Sequence, residues 1–299
     1  MHSPRPAKQN GGLAMALGAY TIWGLLPLYM LTVRAVPALE FVTWRIFWTL
    51  PFCLCVFAVT RTWSELRTAT ASWKVLRLLF LSAILIGVNW VVFTVAVQEG
   101  HLFAASLGYY INPLVNVFFG TLFLHERLTR LQWAAVAIAA LGVSLLAFGA
   151  VEMLYISLTL AVSFSAYGLV RKLTPVGPLP GLTIESGLLT LPALAIAGWY
   201  AASAAGSGMA VSPTLSTLVM LGGVLTGVPL LLFAGAARRM DYSALGMLQF
   251  VSPTISFVIG LTVFKEELRP VQLACFALIW CAIGLFVWDL LLQRRRARA

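Results

Sequence analysis

Long apolar runs follow one another along the whole chain and are separated by short polar turns. Each run has about 18 to 23 residues, enough for a helix to cross a hydrocarbon core of roughly 30 Å. A backbone exposed to lipid must satisfy its own hydrogen bonds, so these runs are expected to be helices. The pattern predicts ten transmembrane helices, at 12–33, 39–60, 76–97, 103–124, 132–149, 153–171, 183–204, 215–237, 243–264 and 271–292.

The fourth run, at 103–124, carries a polar and aromatic patch that is interrupted by proline, and much of it recurs later. A shift of 140 residues places Pro113 on Pro253, Gly120 on Gly260, Glu126 on Glu266, Leu128 on Leu268 and Gln132 on Gln272. The same shift places Gly87, Val88, Phe93 and Ala96 on Gly227, Val228, Phe233 and Ala236. A repeat of about half the chain indicates two related membrane halves.

The two halves are expected to be residues 1–150, the first five-helix repeat, and 151–299, the second. Because five is an odd number, equivalent helices must cross the bilayer in opposite directions, which makes the repeat an inverted one. The turn HERLTR and its counterpart KEELRP would then lie on opposite sides of the membrane. Both halves together are expected to form one membrane domain around a shared cavity.

Composition supports this interpretation and narrows the class of protein. Hydrophobic residues make up 61% of the chain, charged residues only 10%, and the mean hydropathy is +0.93. A water-soluble domain needs roughly 25% charged residues at its surface. The sequence therefore predicts an all-α polytopic membrane protein with ten transmembrane helices arranged as two inverted five-helix repeats.

The net charge of +10 does not indicate a nucleic-acid partner, because the basic residues form short clusters between apolar runs without an aromatic-basic reading module. Alternate loops divide these residues unequally between the two sides. One side has 16 of the 20: Arg5, Lys8, Arg61, Arg67, Lys74, Arg77, Arg127, Arg130, Arg171, Lys172, Arg238, Arg239, Arg294, Arg295, Arg296 and Arg298. The other has Arg34, Lys265 and Arg269. Basic loops stay in the cytoplasm, so both termini are predicted to be cytoplasmic.

Residues 62–75 carry Trp63 and Trp73 among charges, and they are expected to lie at the cytoplasmic headgroups. The four cysteines all lie inside apolar runs, so neither a zinc site nor a disulfide framework is indicated. The chain has no Walker loop and no paired-carboxylate motif, so no cofactor, metal or catalytic residue is expected.

Polar side chains surround the two prolines that the repeat relates. Around Pro113 they are Tyr109, Tyr110, Asn112 and Asn116, and around Pro253 they are Gln249, Ser252 and Ser256. Proline frees a backbone carbonyl one turn earlier, so each patch offers polar side chains and backbone together. Interhelical hydrogen bonds would explain the patches as helix packing, whereas a shared cavity at the middle of the membrane would explain them as a substrate site.

A second pair of polar residues follows a small-residue spacing. Ala83 and Gly87, echoed by Gly223 and Gly227, are typical of helices that approach closely, and packing alone accounts for them. Asn89 and Trp90 follow Gly87 within one helical turn. An amide in the middle of a span is costly unless it meets a partner or a wet cavity.

Ionisable residues inside spans are rare and are functional candidates by default. Arg45 lies about two turns inside the second run, between Trp44 and Trp48, which could anchor it or contact it through cation–π interactions. It is either a structural arginine that snorkels to the interface or a group that faces the cavity. Glu185 lies just inside the seventh run and either pairs with Arg171 or Lys172 or carries a proton.

Several ordered motifs resemble one known family over nearly the whole chain. They are AYTIWGLLPLY, ILIGVNWVVF, ASLGYYINPLVN, SFSAYGLVRK and the stretch at 246–253. They are similar to the tandem EamA domains of the drug/metabolite transporter superfamily. The resemblance implies an inverted five-plus-five arrangement, an inner-membrane location and a permease role, often labelled with chloramphenicol sensitivity. It does not imply a particular substrate.

The preferred function is secondary transport of a small metabolite or drug by alternating access through a cavity between the repeats. The alternatives are an intramembrane lipid-processing enzyme and a passive facilitator without ion coupling. The expected partners are a small-molecule substrate and the lipid bilayer. The residues expected at the substrate are Trp23, Arg45, Asn89, Trp90, Tyr109, Tyr110, Asn112, Tyr167 and Gln249, with Glu185 as the candidate coupling group.

Overall fold

A computed structural model describes residues 6–99, 101–148, 153–203, 206–265 and 270–296. These ranges form α-helices joined by short connections, and no strand is present in them. The helices are α1 Pro6–Thr32, α2 Ala38–Thr60, α3 Trp63–Ala71, α4 Trp73–Gln98, α5 Leu102–Phe123, α6 Arg130–Ala147, α7 Leu154–Leu173, α8 Pro178–Ala202, α9 Pro213–Ala237, α10 Tyr242–Gln249, α11 Val251–Thr262 and α12 Pro270–Arg296. One 3₁₀ turn, Gly208–Val211, precedes α9.

Nine segments of the described ranges are helices long and apolar enough to cross a membrane, and α10 and α11 count among them as one segment. They correspond to nine of the ten predicted spans. The remaining prediction, at 103–124, is the helix α5, which is 22 residues long but is not among the nine.

The two proline patches that the repeat relates have different backbones. Helix α5 continues through Pro113, whereas the second-half helix is interrupted at Phe250, between α10 and α11. Pro253 is therefore in the first turn of α11, where its missing N–H costs no hydrogen bond. The sequence predicted one run at 243–264 and did not predict this break.

Helices of one half pack mainly on helices of the other half. The most extensive contacts join α6 to α12, α5 to α7, α2 to α8, α2 to α9 and α4 to α7. Close approach depends on small residues: a Cβ at Gly227 would lie 2.6 Å from the ring of Phe52, and one at Gly24 would lie 2.7 Å from Ile255. The small-residue spacing at Gly223 and Gly227 thus allows α9 to approach α2.

The segment expected at the headgroups contains the short helix α3, in which Trp63 stacks on Phe57 at 5.3 Å. Trp73 begins α4 and is exposed. The position of this segment at the headgroups stays a prediction. Residues 266–269 of the predicted turn KEELRP lie outside the described residues, so the comparison of the two charged turns stays a prediction as well.

Candidate functional site

Arg45 is the eighth residue of α2 and lies among aromatic rings. Its guanidinium carbon is 5.1 Å from the ring centroid of Trp90 on α4 and 5.7 Å from that of Phe41. Two of the residues proposed for the substrate site, Arg45 and Trp90, are therefore in direct contact. The hydroxyl of Tyr109 on α5 is near enough to interact with the same charge.

The rings over the guanidinium are those of Phe41 and Trp90, and not those of Trp44 and Trp48. Phe41 lies four residues earlier and therefore shares the face of Arg45. The indole nitrogen of Trp44 instead donates a hydrogen bond of 3.1 Å to Glu40.

Trp23 and Tyr167 meet in an aromatic cluster between α1, α7 and α9. Trp23 packs at 5.6 Å from Phe164 and 5.7 Å from Phe233, and Tyr167 stacks on Phe233 with an interplanar angle of 13°. Tyr167 is buried, whereas Trp23 is partly exposed. The fold brings both residues onto the same phenylalanine, Phe233.

The amides of the candidate site are buried and bonded between helices. Asn89 donates to the Leu160 carbonyl at 2.9 Å and to the Ser163 hydroxyl at 3.0 Å, both on α7. Gln249 accepts a hydrogen bond of 2.8 Å from Asn116. These contacts are the interhelical hydrogen bonds that the helix-packing alternative requires. A substrate role for Asn89 and Gln249 stays a prediction.

Asn112 and Asn116 lie one turn apart on the same face of α5. The Asn112 side-chain oxygen accepts a hydrogen bond of 2.5 Å from Ser165, but its nitrogen is buried without a partner, and so is the Asn116 oxygen. Asn116 was not among the residues expected at the substrate, although its spacing of four from Asn112 was a signal that could have included it. Buried polar atoms without partners are costly, so this face of α5 has unused hydrogen-bonding capacity.

Tyr109 and Tyr110 face different neighbours, as expected for consecutive residues of a helix. Tyr109 packs on Phe93 of α4 at 5.6 Å, on the side of Arg45. Tyr110 packs on Phe276 of α12 at 5.7 Å. The tyrosine near Arg45 is therefore Tyr109, whereas Tyr110 faces α12.

Glu185 is the eighth residue of α8 and is only 2% exposed. Arg171 approaches its carboxylate at 3.5 Å, and both side chains of this ion pair are 2% exposed. Ser82 donates a short hydrogen bond to the same carboxylate, and the Tyr167 hydroxyl lies 3.5 Å away. Of the two partners considered from the sequence, the structure has Arg171, whereas Lys172 donates to backbone carbonyls near the end of α9.

Arg45 and Glu185 are related by the same shift of 140 residues that relates the two halves, since α2 begins at Ala38 and α8 at Pro178. Equivalent positions thus carry opposite charges. Glu185 has Arg171 as its counter-charge, while no ion pair of Arg45 is found in the described ranges. This asymmetry could not be predicted from either residue alone.

A contact that the sequence did not predict joins the two halves at Glu126. The chain reverses after α5 because His125 adopts a left-handed conformation, with φ 54°, and the Glu126 N–H donates to Gly120. The Glu126 carboxylate then accepts hydrogen bonds from the backbone N–H groups of Tyr242 and Ser243, at 2.6 and 2.8 Å. We call this contact of Glu126, Tyr242 and Ser243 the Glu126 clamp.

The clamp follows from the chemistry of a helix N-terminus. The first N–H groups of α10 have no partner within the helix, and the helix dipole favours a negative charge there. Asp241, the residue before α10, makes no side-chain cap. Partial burial and the neighbouring Glu126 carboxylate raise the pKa of Asp241, and the Lys172 ammonium opposes this effect.

Comparison with known proteins agrees with the helical architecture. Residues 10–148 match the model of the EamA-like transporter family. The protein RarD of Escherichia coli is 41% identical over 294 residues, which cover 97% of this chain and 98% of that protein. An uncharacterized transporter of Vibrio cholerae is 39% identical over 299 residues, covering 99% of this chain and 98% of its own.

A protein of known crystal structure has a similar fold at low sequence identity. The TM-score is 0.72 at 18% identity, and the match covers 93% of this chain and 98% of the other. The fold is therefore shared along almost the whole length. Together with the relatives of about 40% identity, the match of the first half shows that the chain belongs to the EamA-like transporter family, as a relative of its RarD proteins.

Proposed function

We propose that the protein is a secondary transporter that moves a small metabolite or drug-like solute across the inner membrane by alternating access between its two halves. Membership of a transporter family and relatives with transporter names favour transport over lipid processing. The observation that carries the mechanism is the packing of the helices, whose main contacts recur when each helix is exchanged for its equivalent in the other half. The equivalent pairs are α1 and α7, α2 and α8, α4 and α9, α5 and the α10–α11 segment, and α6 and α12.

The exchange can be followed pair by pair. The contact of α1 with α9 has its counterpart in that of α4 with α7, and the contact of α2 with α9 has its counterpart in that of α4 with α8. The pairs α2–α8 and α6–α12 exchange with themselves. Such packing supports an inverted repeat of ten spans, in which α5 is the span that is not among the nine apolar segments. Two conformations related by exchanging the roles of the halves would then expose one site to either side.

We place the substrate site between α1, α2, α4, α5 and α7. The proposed site is lined at one end by Arg45, Trp90 and Tyr109. It is lined at the other end by Trp23 and Tyr167. Asn112 supplies a buried amide nitrogen without a partner. Asn89, Tyr110 and Gln249 are retained as candidates that would contact substrate only in another conformation, since each contacts a neighbouring helix.

Glu185 is proposed as the coupling group. A carboxylate that can exchange its ion pair with Arg171 for a proton would change the charge between α7 and α8. Protonation would weaken the attraction between these helices and so favour one conformation over the other. The Tyr167 hydroxyl links this carboxylate to the aromatic cluster at the proposed substrate site.

Reconstitution into proteoliposomes tests the function. Radiolabelled chloramphenicol is a first probe, because members of the family are often named for chloramphenicol sensitivity. Neutral amino acids form a second panel of probes. We expect protein-dependent accumulation that a pH gradient drives, and loss of that drive in Glu185→Gln with normal exchange at equal pH. Equilibration without accumulation would indicate a passive facilitator, and protein-dependent hydrolysis of lipid would contradict transport as the function.

The proposed location has both termini in the cytoplasm, on the strength of the unequal loop charges. Tags at both ends should resist protease added to spheroplasts, while a tag inserted at 204–205 should be digested. Digestion of either terminal tag from outside would contradict the orientation.

A further inference from the structure

We propose that the Arg45 guanidinium binds an anionic group of the transported solute, so that the substrates are small organic anions with an apolar or aromatic body. This inference rests on the proposed function and names the substrate class of the same site. Carboxylate and phosphate groups both present pairs of oxygens that match the planar fork of an arginine.

The first argument is the missing counter-charge. A charge within a membrane span is costly unless it is paired or reaches a water-filled cavity. The nearest acidic residue along α2 is Glu40, but its carboxylate accepts hydrogen bonds from Trp44, Ser207 and Gly208 instead. Among the residues that the structure describes, none forms an ion pair with Arg45. A bound anion would supply the negative charge that pairs with the Arg45 guanidinium.

The second argument is the state of the donors. Arg45 makes no hydrogen bond to any described residue, and its Nε is buried without a partner. The two terminal nitrogens are not enclosed in this way, and the residue as a whole is partly exposed. A ligand can therefore reach the end of the guanidinium. The four N–H donors of the two terminal nitrogens are then available to an anion.

The third argument is the aromatic surround. Phe41 and Trp90 face the guanidinium within cation–π distance, and such contacts orient an arginine without using its donors. The Tyr109 hydroxyl is near the same charge and can donate to an anion bound there. The rings also provide an apolar wall for the rest of the solute, which is why we expect more than a bare inorganic ion.

The equivalent position in the other half provides an internal comparison. Glu185, 140 residues later, has its counter-charge, Arg171, inside the protein. A charge kept at this depth for stability would be expected to resemble Glu185 and to have a partner. Arg45 differs from it in this respect, and the difference is what a binding role requires.

Three probes of similar size test the proposal: phenylacetate, phenyl phosphate and the neutral phenylacetamide. Binding to the full-length protein in phosphatidylcholine nanodiscs would be measured by calorimetry. The two anions should bind about tenfold to a hundredfold more tightly than the amide, the range expected for hydrogen bonds to a charged group. Equal affinities for all three probes would overturn the assignment.

Variants identify the residue responsible. Arg45→Gln and Arg45→Met should both lose the preference for anions, and Arg45→Lys should retain part of it. Arg34→Gln removes the same charge from an exposed position and should bind like the wild type. Gel filtration and circular dichroism would establish that each variant is folded. A preference for anions that survives in either folded removal variant would overturn the proposal.

The anion could also come from a lipid headgroup rather than a solute. Phosphatidylglycerol nanodiscs distinguish the two sources. An anionic lipid bound at Arg45 would weaken the Arg45-dependent binding of phenylacetate there, relative to lipid-free protein in dodecyl maltoside, and would overturn a solute site. The reference is a detergent without phosphate, because phosphatidylcholine itself carries one. Unchanged Arg45-dependent binding supports the solute.

Transport of the same labelled probes into proteoliposomes separates this proposal from the proposed function. Protein-dependent transport that is equal for phenylacetate and phenylacetamide would overturn only the substrate class. Arg45-dependent binding without transport of any probe would support the anion site and count against the transport function.

Discussion

At the residue scale, the charge of Arg45 makes a prediction about stability as well as binding. Arg45→Met keeps an unbranched apolar stem, although a shorter one, and removes a charge that has no counter-charge in the described ranges. Replacing a buried ion pair by apolar residues is often neutral or stabilising by about 1–4 kcal/mol. Arg45 has no ion-pair partner among the described residues that its removal would leave unpaired. We therefore expect an unchanged or higher thermal midpoint in detergent, measured by circular dichroism.

The control for this prediction is Arg34→Met, because Arg34 is exposed and its loss should leave the midpoint unchanged. A midpoint that falls in Arg45→Met alone would mean that the arginine stabilises the fold. It would then be a structural arginine, the alternative that the sequence left open.

At the element scale, the end of α5 must fit closely against the start of α10. A Cβ at Gly120 would lie 2.5 Å from the Ser243 hydroxyl and 2.6 Å from the Glu126 carboxylate. Gly120→Ala should displace the Glu126 clamp and lower the midpoint, since hydrogen bonds to charged groups contribute about 1.5–3 kcal/mol. Thermal unfolding of the purified protein would measure the change.

The control for Gly120→Ala is Gly198→Ala, because no atom lies within 4 Å of a Cβ built at Gly198 of α8. Alanine is favoured over glycine in a helix by about 0.5–1 kcal/mol, so this variant should be slightly stabilised. The same small gain in Gly120→Ala would show that the clamp tolerates a side chain there.

The turn before α10 gives a prediction with a definite dependence on pH. Partial burial and Glu126 raise the pKa of Asp241 in the folded protein, so its ionised form is disfavoured there. The folded state then binds the proton more tightly than the unfolded state, and stability falls as pH rises through the raised pKa. Asp241→Asn should therefore raise the midpoint at pH 8 and have little effect near pH 3, below the usual pKa of about 3.9, where the carboxyl is protonated in both the folded and the unfolded state.

Thermal midpoints of the wild type and of Asp241→Asn across this pH range would test the argument. Asparagine is also a favourable residue before a helix, so the substitution keeps the capping position. A gain of equal size at both pH values would attribute the effect to capping and not to charge.

At the scale of the whole molecule, alternating access requires some contacts between the halves to open while others persist. In a background without native cysteines, the pair Gly120→Cys and Ser243→Cys would join the two halves at the Glu126 clamp. Cross-linking there should abolish transport, and a reducing agent should restore it. The pair Gly142→Cys and Leu278→Cys joins α6 to α12, where a Cβ at Gly142 would lie 3.1 Å from the Cβ of Leu278.

We expect the second cross-link to leave transport largely intact. Helices α6 and α12 are equivalent in the two halves and pack on each other, so they can move as one unit. Transport that persists with the first pair fully cross-linked would contradict an opening at the clamp. Gel mobility before and after reduction would establish the extent of cross-linking.

The sequence by itself determined the class, the helices and the family of this protein. Lipid cannot satisfy backbone hydrogen bonds, so apolar runs of sufficient length have one structural outcome, and nine of them are found as expected. The ordered motifs then identified the EamA family. The break at Phe250 was not predicted, because Pro113 and Pro253 have similar local sequences but different backbones.

Only the tertiary structure decided which polar residues meet. Spacing along α2 placed Phe41 and Arg45 on one face, but the packing of α4 against α2 was needed to bring Trp90 onto the guanidinium. In the same way, the chain had to turn between α7 and α8 before Arg171 could pair with Glu185, and α10 had to begin beside α5 before Glu126 could cap it. Periodicity reports the direction of a side chain about its own axis, whereas the partner it meets depends on a second helix far away in the chain.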